Sequence, residues 1–170
     1  MSVSDTGPTQ PPGGGSAAGQ VPQFRVLAQY VKDLSFENPN APSSLIQRPT
    51  KPDISVHVDL NARRLSGEQF ETELKLAVES KLEGQVQFIV ELVYAGLFLI
   101  QGISPENLEP LLLIECPRIV FPFARRIVSD VVRDGGFMPL NIEPLDFATI
   151  YRQQLQRRAQ QQEAPGGLPN

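Results

Sequence analysis

Residues 85–100 read QVQFIVELVYAGLFLI, and this stretch decides the fold. Val86, Phe88, Val90, Leu92, Tyr94 and Phe98 recur at even positions, the period of a strand rather than a helix. The odd positions are apolar too, with Ile89, Val93, Ala95, Leu97 and Leu99 interrupted by Glu91. An antiparallel strand with one face in water should alternate apolar and polar residues. The second face is therefore expected to be covered by another subunit, a ligand or both.

Working outward, Glu83-Gly84 is short enough for a two-residue hairpin, which makes the preceding strand an antiparallel neighbour. That strand sets Phe70, Leu74, Leu76 and Val78 against Glu71, Glu73, Lys75 and Glu79. Before it, Ile54, Val56, Val58 and Leu60 oppose Asp53, Ser55, His57 and Asp59. The earliest strand places Phe24, Val26, Ala28, Tyr30, Leu34 and Phe36 on one side, interrupted by Lys32. It ends in KDLSFENPNAP, residues 32–42, where Asp33, Ser35 and Glu37 form an acidic row and Asn38-Pro39-Asn40 stops the strand. The 39–52 connection holds four prolines, too long and stiff for a tight hairpin, and is expected to cross over.

Helix follows sheet. Ser104-Pro105-Glu106 combines a capping hydroxyl, proline at the first helical position and an acid at the positive end of the dipole. Pro110, Pro117 and Pro122 forbid one straight helix. The pattern predicts a short helix, a kink near Cys116-Pro117 and a longer helix ending before Gly135-Gly136. Its apolar stripe is Ile127, Val128, Val131 and Val132, with Arg125, Arg126, Asp130 and Arg133 outward. A last helix over about 145–160 has Ala148, Tyr151 and Leu155 on one side. The class is α+β: a four-stranded antiparallel sheet, then a kinked long helix and a C-terminal helix.

Residues 1–22 contain nine Gly or Pro and one charge, Asp5, and predict a disordered arm. Residues 161–170 read as a disordered tail, leaving 23–160 as the folded unit. A net charge of −4 and a pI near 5.0, with no basic cluster interleaved with aromatics, argue against nucleic acid. The N-terminus has no basic start and no apolar core of a secretory signal. The apolar runs are too short to span a bilayer, so a soluble cytoplasmic protein is expected.

No catalytic constellation stands out. His57 is the only histidine and reads as surface beside Asp59. Cys116 lies in an apolar run and reads as an inert core or interface thiol. One Cys and one His cannot close a metal site. Gly13-Gly14-Gly15 and Gly135-Gly136 lack the Lys and Ser/Thr of a phosphate loop. The chain is read as no enzyme, without cofactor or metal. Taken alone, the acids Asp33 and Glu37 read as a solvated face.

Four motifs change that last reading. KDLSFENPNAP, FIVELVYAGLFLI, CPRIVFPFARRIVSD and GGFMPLNIEPLDF occur in the order found in SecB, the bacterial protein-export chaperone family, which the chain resembles over roughly residues 23–155. The resemblance implies a homotetramer, a dimer of dimers, with sheets extended across each dimer and helices between dimers. It implies an ATP-independent chaperone that holds unfolded precursor proteins for export and delivers them to the SecA motor of the Sec translocase. Carried over by motif, SecA's basic, zinc-bound C-terminal tail is received by Asp33, Glu37, Ile89 and Glu91. The client groove maps to Val56, Val58, Leu60, Phe88, Val90 and Leu92. An alternative within the resemblance is a SecB-like chaperone dedicated to a single partner such as an antitoxin.

Overall fold

The computed structural model describes residues 21–46 and 50–163. Strands β1 (Gln23–Glu37), β2 (Asp53–Ser66), β3 (Gln69–Leu82) and β4 (Gln85–Gln101) form one antiparallel sheet in the order β1-β4-β3-β2. Then come α1 (Pro105–Pro110), a π-helical turn at Leu111–Glu115, α2 (Cys116–Asp134) and α3 (Phe147–Glu163). The expected arm lies outside the described residues up to residue 20, and so does the tail beyond 163. The final helix runs past the expected boundary at Gln160.

The segment after β1 crosses to the far edge of the sheet, as its prolines predict. Its asparagines anchor it. Asn40 Nδ2 donates to the Val86 carbonyl at 2.8 Å, and Ser44 Oγ donates to Asn38 Oδ1 at 2.6 Å. The strand stop read in the sequence is thus also the clamp that turns the chain over the start of β4.

Even-numbered residues of β2, β3 and β4 form the inner face beneath α2. Phe70, Leu74, Leu76 and Val78 of β3 and Val90, Leu92 and Phe98 of β4 are buried there with Cys116, Val120, Ala124, Val128 and Val132 of α2. The helical residues repeat every fourth position, one ridge along the helix. Of the expected stripe, Val128 and Val132 lie in this ridge, whereas Ile127 and Val131 are half-buried at its margin.

Three one-residue slips correct the strand faces read from the sequence. Register shifts at Leu27 and Lys32 turn Ala28 and Tyr30 to the outer face, opposite Leu97 and Ala95, and bring Gln29 and Val31 inward. Each extra residue exchanges the two faces beyond it. Two slips restore the original phase, so Phe24, Val26, Leu34 and Phe36 do share the inner face. The third slip, at Gln87, pairs Val86 with Lys81 and sends Val86 outward.

The helical irregularity falls just before Cys116-Pro117 rather than on it. The Cys116 N–H reaches back to the Leu111 carbonyl, the wide spacing of a π turn. The next carbonyl, Leu112, would need the donor that Pro117 lacks. Thr72 of β3, fully buried, supplies one: its Oγ1 donates to Leu112 O at 3.0 Å. The break in the helix is therefore stitched to the sheet. At α3, Asp146 caps the start by accepting from Thr149 N at 3.1 Å and Thr149 Oγ1 at 2.8 Å. The side of α3 facing the body is Phe147, Ile150, Tyr151 and Gln154, while Leu155, expected to pack, is exposed.

Val120 of α2 and the Phe98 ring close over β4 at Gly96. A Cβ there would lie 2.5 Å from Phe98 Cε2 and 2.9 Å from Val120 Cγ1. Gly96→Ala is expected to destabilise the fold by roughly 1–3 kcal/mol, the cost of overpacking a close-packed core. The readout is a denaturant midpoint, and an unchanged midpoint would show that this approach tolerates a methyl group.

Candidate functional site

The outer face of the sheet has three zones along the strands. At one end, register places Glu37, Ile89 and Glu79 in one row across β1, β4 and β3, and Ser35, Glu91 and Ala77 in a second. Asp33 begins the third row, beside Val93 and Lys75. Asp33, Glu37, Ile89 and Glu91, read from two separate motifs, thus meet on one surface: a half-buried apolar residue rimmed by acids. Glu79 and Lys75 of β3 join this surface and were not read from the sequence, because their place depends on the slip at Gln87. Lys75 lies 3.8 Å from Glu91, both about half exposed, a contact worth little. Among the described residues, no cation is within ion-pair distance of Asp33 or Glu37.

The middle zone is an ion cluster around Glu71, whose side chain is 3% exposed. Tyr30 donates its hydroxyl to Glu71 Oε1, Arg63 Nε donates to Oε2 at 2.6 Å, and Lys32 Nζ donates to Oε2 at 3.3 Å. Lys32 also pairs with Glu73. Tyr30 and Lys32 come from β1 and reach β3 by crossing over Ala95 of β4, which is fully buried. A larger residue at 95 would obstruct them. Part of the apolar outer face of β4, expected to need an external cover, is covered by the chain's own side chains. Burial alone would raise the Glu71 pKa, but the three donors outweigh it and hold it at about 2, well below its ordinary 4.5.

An apolar groove opens beside the inner face. One cavity of about 860 Å³ lies between the crossover, the ends of β3 and β4, and the segment 136–140. It shares Lys51, Pro52, Ile54 and Leu140 with a second of about 690 Å³, bounded by β2 and 140–145. A third, of about 620 Å³ and more polar, turns around the β2 edge from Val56 and Val58 to the outer face. It reaches His57, Asp59, Lys75 and Ala77 of that face and Ile150, Gln153, Gln154 and Arg157 of α3. Phe88 and Phe137, with ring centroids 4.9 Å apart, wall the first. Met138, 88% exposed, stands at its rim.

Of the sequence-read groove residues, Val56, Val58 and Phe88 line these cavities. Val90 and Leu92 do not: both are fully buried beneath α2. Leu60 is also core. The even-numbered pattern that marked them is one inner face, and α2 covers only part of it. The residues missed are Ile54, Leu140 and Met138, the last two lying in GGFMPLNIEPLDF, where no periodicity marks a wall.

The floor of the groove follows the free edge of β2. Leu60 turns its backbone to that edge: its N–H donates to Asp59 Oδ1 at 3.1 Å, and its carbonyl accepts from Gln154 Nε2 at 3.0 Å. In an antiparallel pair, residues alternate between those that bond the neighbour and those that face away. No slip separates Ile54 from Leu60, so Ile54, Val56 and Val58 also point their N–H and C=O groups outward. Among the described residues these three have no strand beside them.

His57 is exposed on the outer face. The Cys116 thiol is fully buried and its pKa is pushed up to about 12, chiefly by that burial, which removes its nucleophilic form at neutral pH. Among the described residues no helix is long and apolar enough to cross a membrane.

A sheet with an apolar groove and unpaired edge on one side and an acid-rimmed face on the other defines a protein-binding scaffold. The family model described as preprotein translocase subunit SecB matches residues 17–158. The protein-export protein SecB of Xanthobacter autotrophicus is 49% identical over 96% of this chain and all of that one. That of Parvibaculum lavamentivorans is 50% identical over 92% and 94%. The chain belongs to the SecB family, the chaperones of preprotein export. A solved SecB-like chaperone from Mycobacterium tuberculosis, in complex with a ChAD peptide from an antitoxin, superposes with a TM-score of 0.62 at 14% identity, covering 72% of this chain and 90% of that one. That likeness establishes the shared fold.

The Glu71 cluster makes stability depend on pH. A carboxyl whose folded pKa is depressed contributes stability above its unfolded pKa and loses it as pH falls through the folded value. The melting temperature of the wild type is expected to drop between about pH 4.5 and pH 2. Glu71→Gln should melt lower at pH 7 yet lose less over that window. Parallel acid profiles for the two proteins would remove the cluster from this role.

Proposed function

We propose that the chain holds unfolded precursor proteins in the apolar groove, without ATP, and passes them to SecA in the cytoplasm. The open edge of β2 lining that groove carries the reading of how clients are held. An extended chain laid along Ile54–Val58 gains main-chain hydrogen bonds that any sequence can make. Its alternate side chains fall toward Ile54, Val56, Val58 and Leu140, where an apolar trough without fixed shape discriminates weakly. Gln154 and Asp59, which occupy the backbone groups of Leu60, mark the end of the pairing edge. Holding of this kind makes and breaks no covalent bond, so the chain works as no enzyme.

The outer face takes the second role. Asp33, Glu37 and Glu91 around Ile89 receive the basic, zinc-bound C-terminal tail of SecA, while Glu79 at the same rim is paired with Lys81 at 2.8 Å. Support comes from the charge imbalance: two of these acids have no described cation beside them, and Lys32, adjacent in sequence, is drawn off by Glu71 and Glu73. The two larger groove cavities lie on the side of the sheet opposite the acidic face, so tail docking leaves a client there in place. The single-partner alternative draws no support from identity, since the relatives near 50% are export proteins and the antitoxin-peptide complex is at 14%.

Assembly as a dimer of dimers is supported by β1. It is an edge strand of 15 residues whose inner-face residues Phe24, Val26, Val31 and Leu34 remain 38–45% exposed, as does Phe123 on the outer side of α2. A long apolar edge strand left open invites pairing. A second copy on β1 covers the strand, and contact through α2 joins the pairs.

Asp33→Asn with Glu37→Gln keeps side-chain size and removes two charges. Calorimetry with the SecA C-terminal tail is expected to show binding weaker by roughly 1 kcal/mol per lost pair, with the gap narrowing as salt rises. Capture of an unfolded client in an aggregation assay should persist. Unchanged tail affinity would remove the docking role. Separately, light scattering at micromolar protein is expected to give the mass of four chains; a stable monomer would remove the assembly.

A further inference from the structure

We propose that Ser80 is a specificity-determining residue, a buried hydroxyl at the floor of the larger groove cavity that selects tyrosine over phenylalanine in a bound client. This rests on the reading of that groove as the client site. Ser80 lies on the inner face of β3 between Ile54 of β2 and Phe88 of β4, and it is among the residues lining the 860 Å³ cavity. It is 1% exposed, and its Oγ has no hydrogen-bond partner. The other buried serine of that lining, Ser44, has its hydroxyl engaged by Asn38. A buried hydroxyl without a partner is a standing cost that a ligand can relieve.

The walls decide which ligand fits. Phe88 and Phe137 meet at 4.9 Å with ring planes tilted by 52°, an arrangement onto which a third aromatic ring packs edge or face. Met138, exposed at the rim, can fold over it. An aromatic side chain packed against this pair lies beside Ser80, the register partner of Phe88, and reaches its closed-off Oγ by parting the side chains around it. A phenol both donates and accepts, so it satisfies Oγ in either orientation. A phenylalanine fills the same space and leaves the hydroxyl unpaired. Sites that pair with a ligand hydroxyl discriminate against the analogue lacking it better than purely apolar pockets reject an added hydroxyl. An aliphatic client segment gains the apolar contact alone.

The test uses the full chain and two unstructured apolar peptides, identical except for one central Tyr or Phe, measured by titration calorimetry. The wild type is expected to bind the Tyr peptide roughly three- to tenfold more tightly, the range of one net hydrogen bond. In Ser80→Ala the preference should vanish or reverse, because the phenol is then buried without a partner. The melting temperature of free Ser80→Ala should stay level or rise, since an unpaired buried hydroxyl is removed. Equal affinities in the wild type, or the same preference in both proteins, would overturn the proposal. So would a marked fall in melting temperature, which would reveal an internal partner for Ser80. Met138→Glu serves as the control for the groove: it should weaken both peptides alike. If it weakens neither, the groove reading itself fails and takes this proposal with it.

Discussion

The inner face of the sheet stays apolar from Phe24 to Ile100 because single-residue slips fall in compensating places. Strand side chains alternate, so one extra residue exchanges buried and exposed faces for everything beyond it. In β1 the slips at Leu27 and Lys32 form a matched pair. Between them the outward set is Ala28 and Tyr30, and this local inversion is what sends the Tyr30 hydroxyl to Glu71. The ion cluster, the clearance over Ala95 and the removal of Lys32 from the neighbourhood of Asp33 all depend on that inversion. Past Lys32 the phase returns, so that Phe36 packs against Phe88 and Phe137 on one side while Glu37 stands beside Ile89 on the other.

The cluster also explains how one face can hold both a core-like carboxylate and a free acidic rim. Glu71 is buried and ionised because donors from β1 and β2 converge on it; without them its charge would be costly. One of those donors, Lys32, is the cation next to Asp33 in sequence, while Lys75 and Lys81 stay beside Glu91 and Glu79. Once Lys32 is committed to Glu71 and Glu73, the face around Ile89 keeps its negative field. Burial of one acid and exposure of others are linked by a shared, limited supply of lysine and arginine on the outer face.

Much of this was legible from residues alone, and what was not has a common cause. Four strands, the hairpin at Glu83-Gly84, the crossover and the helical break near Cys116 follow from periodicity, turn residues and where prolines fall. The acids Asp33 and Glu37 were readable as outward because they lie on the polar phase of β1, whereas Glu91 interrupts an apolar phase and came with the family motif. One clue to a slip was present as arithmetic. A two-residue turn at Glu83-Gly84 pairs Leu82 with Gln85, matching even with odd positions, yet both strands bury their even positions. Only an extra residue reconciles them, and Gln87 is that residue. Where it falls could not be read, so Val86 was put on the wrong face and Glu79 was not brought beside Ile89. The β1 slips left no such trace, because two of them cancel. Val90 and Leu92 were misassigned to the groove for a different reason: periodicity identifies a covered face but not how far a helix extends across it.

In the proposed binding mode, holding without folding follows from how the groove divides its contacts. Main-chain bonds to the β2 edge are available to any extended client and lost to any folded one, whose backbone is already paired. That separates unfolded from folded chains without reference to sequence. The apolar trough adds affinity in proportion to area, but ordering a flexible chain along it costs conformational entropy for every residue fixed. Each short segment would then be bound weakly and exchange quickly, and in the proposed assembly several such grooves would raise the total through effective concentration. A client held at many weak points can be drawn off segment by segment, each step crossing a small barrier. Under the proposed docking, a motor on the acidic face would take the first segment released, and release would need no energy source on the chaperone's side.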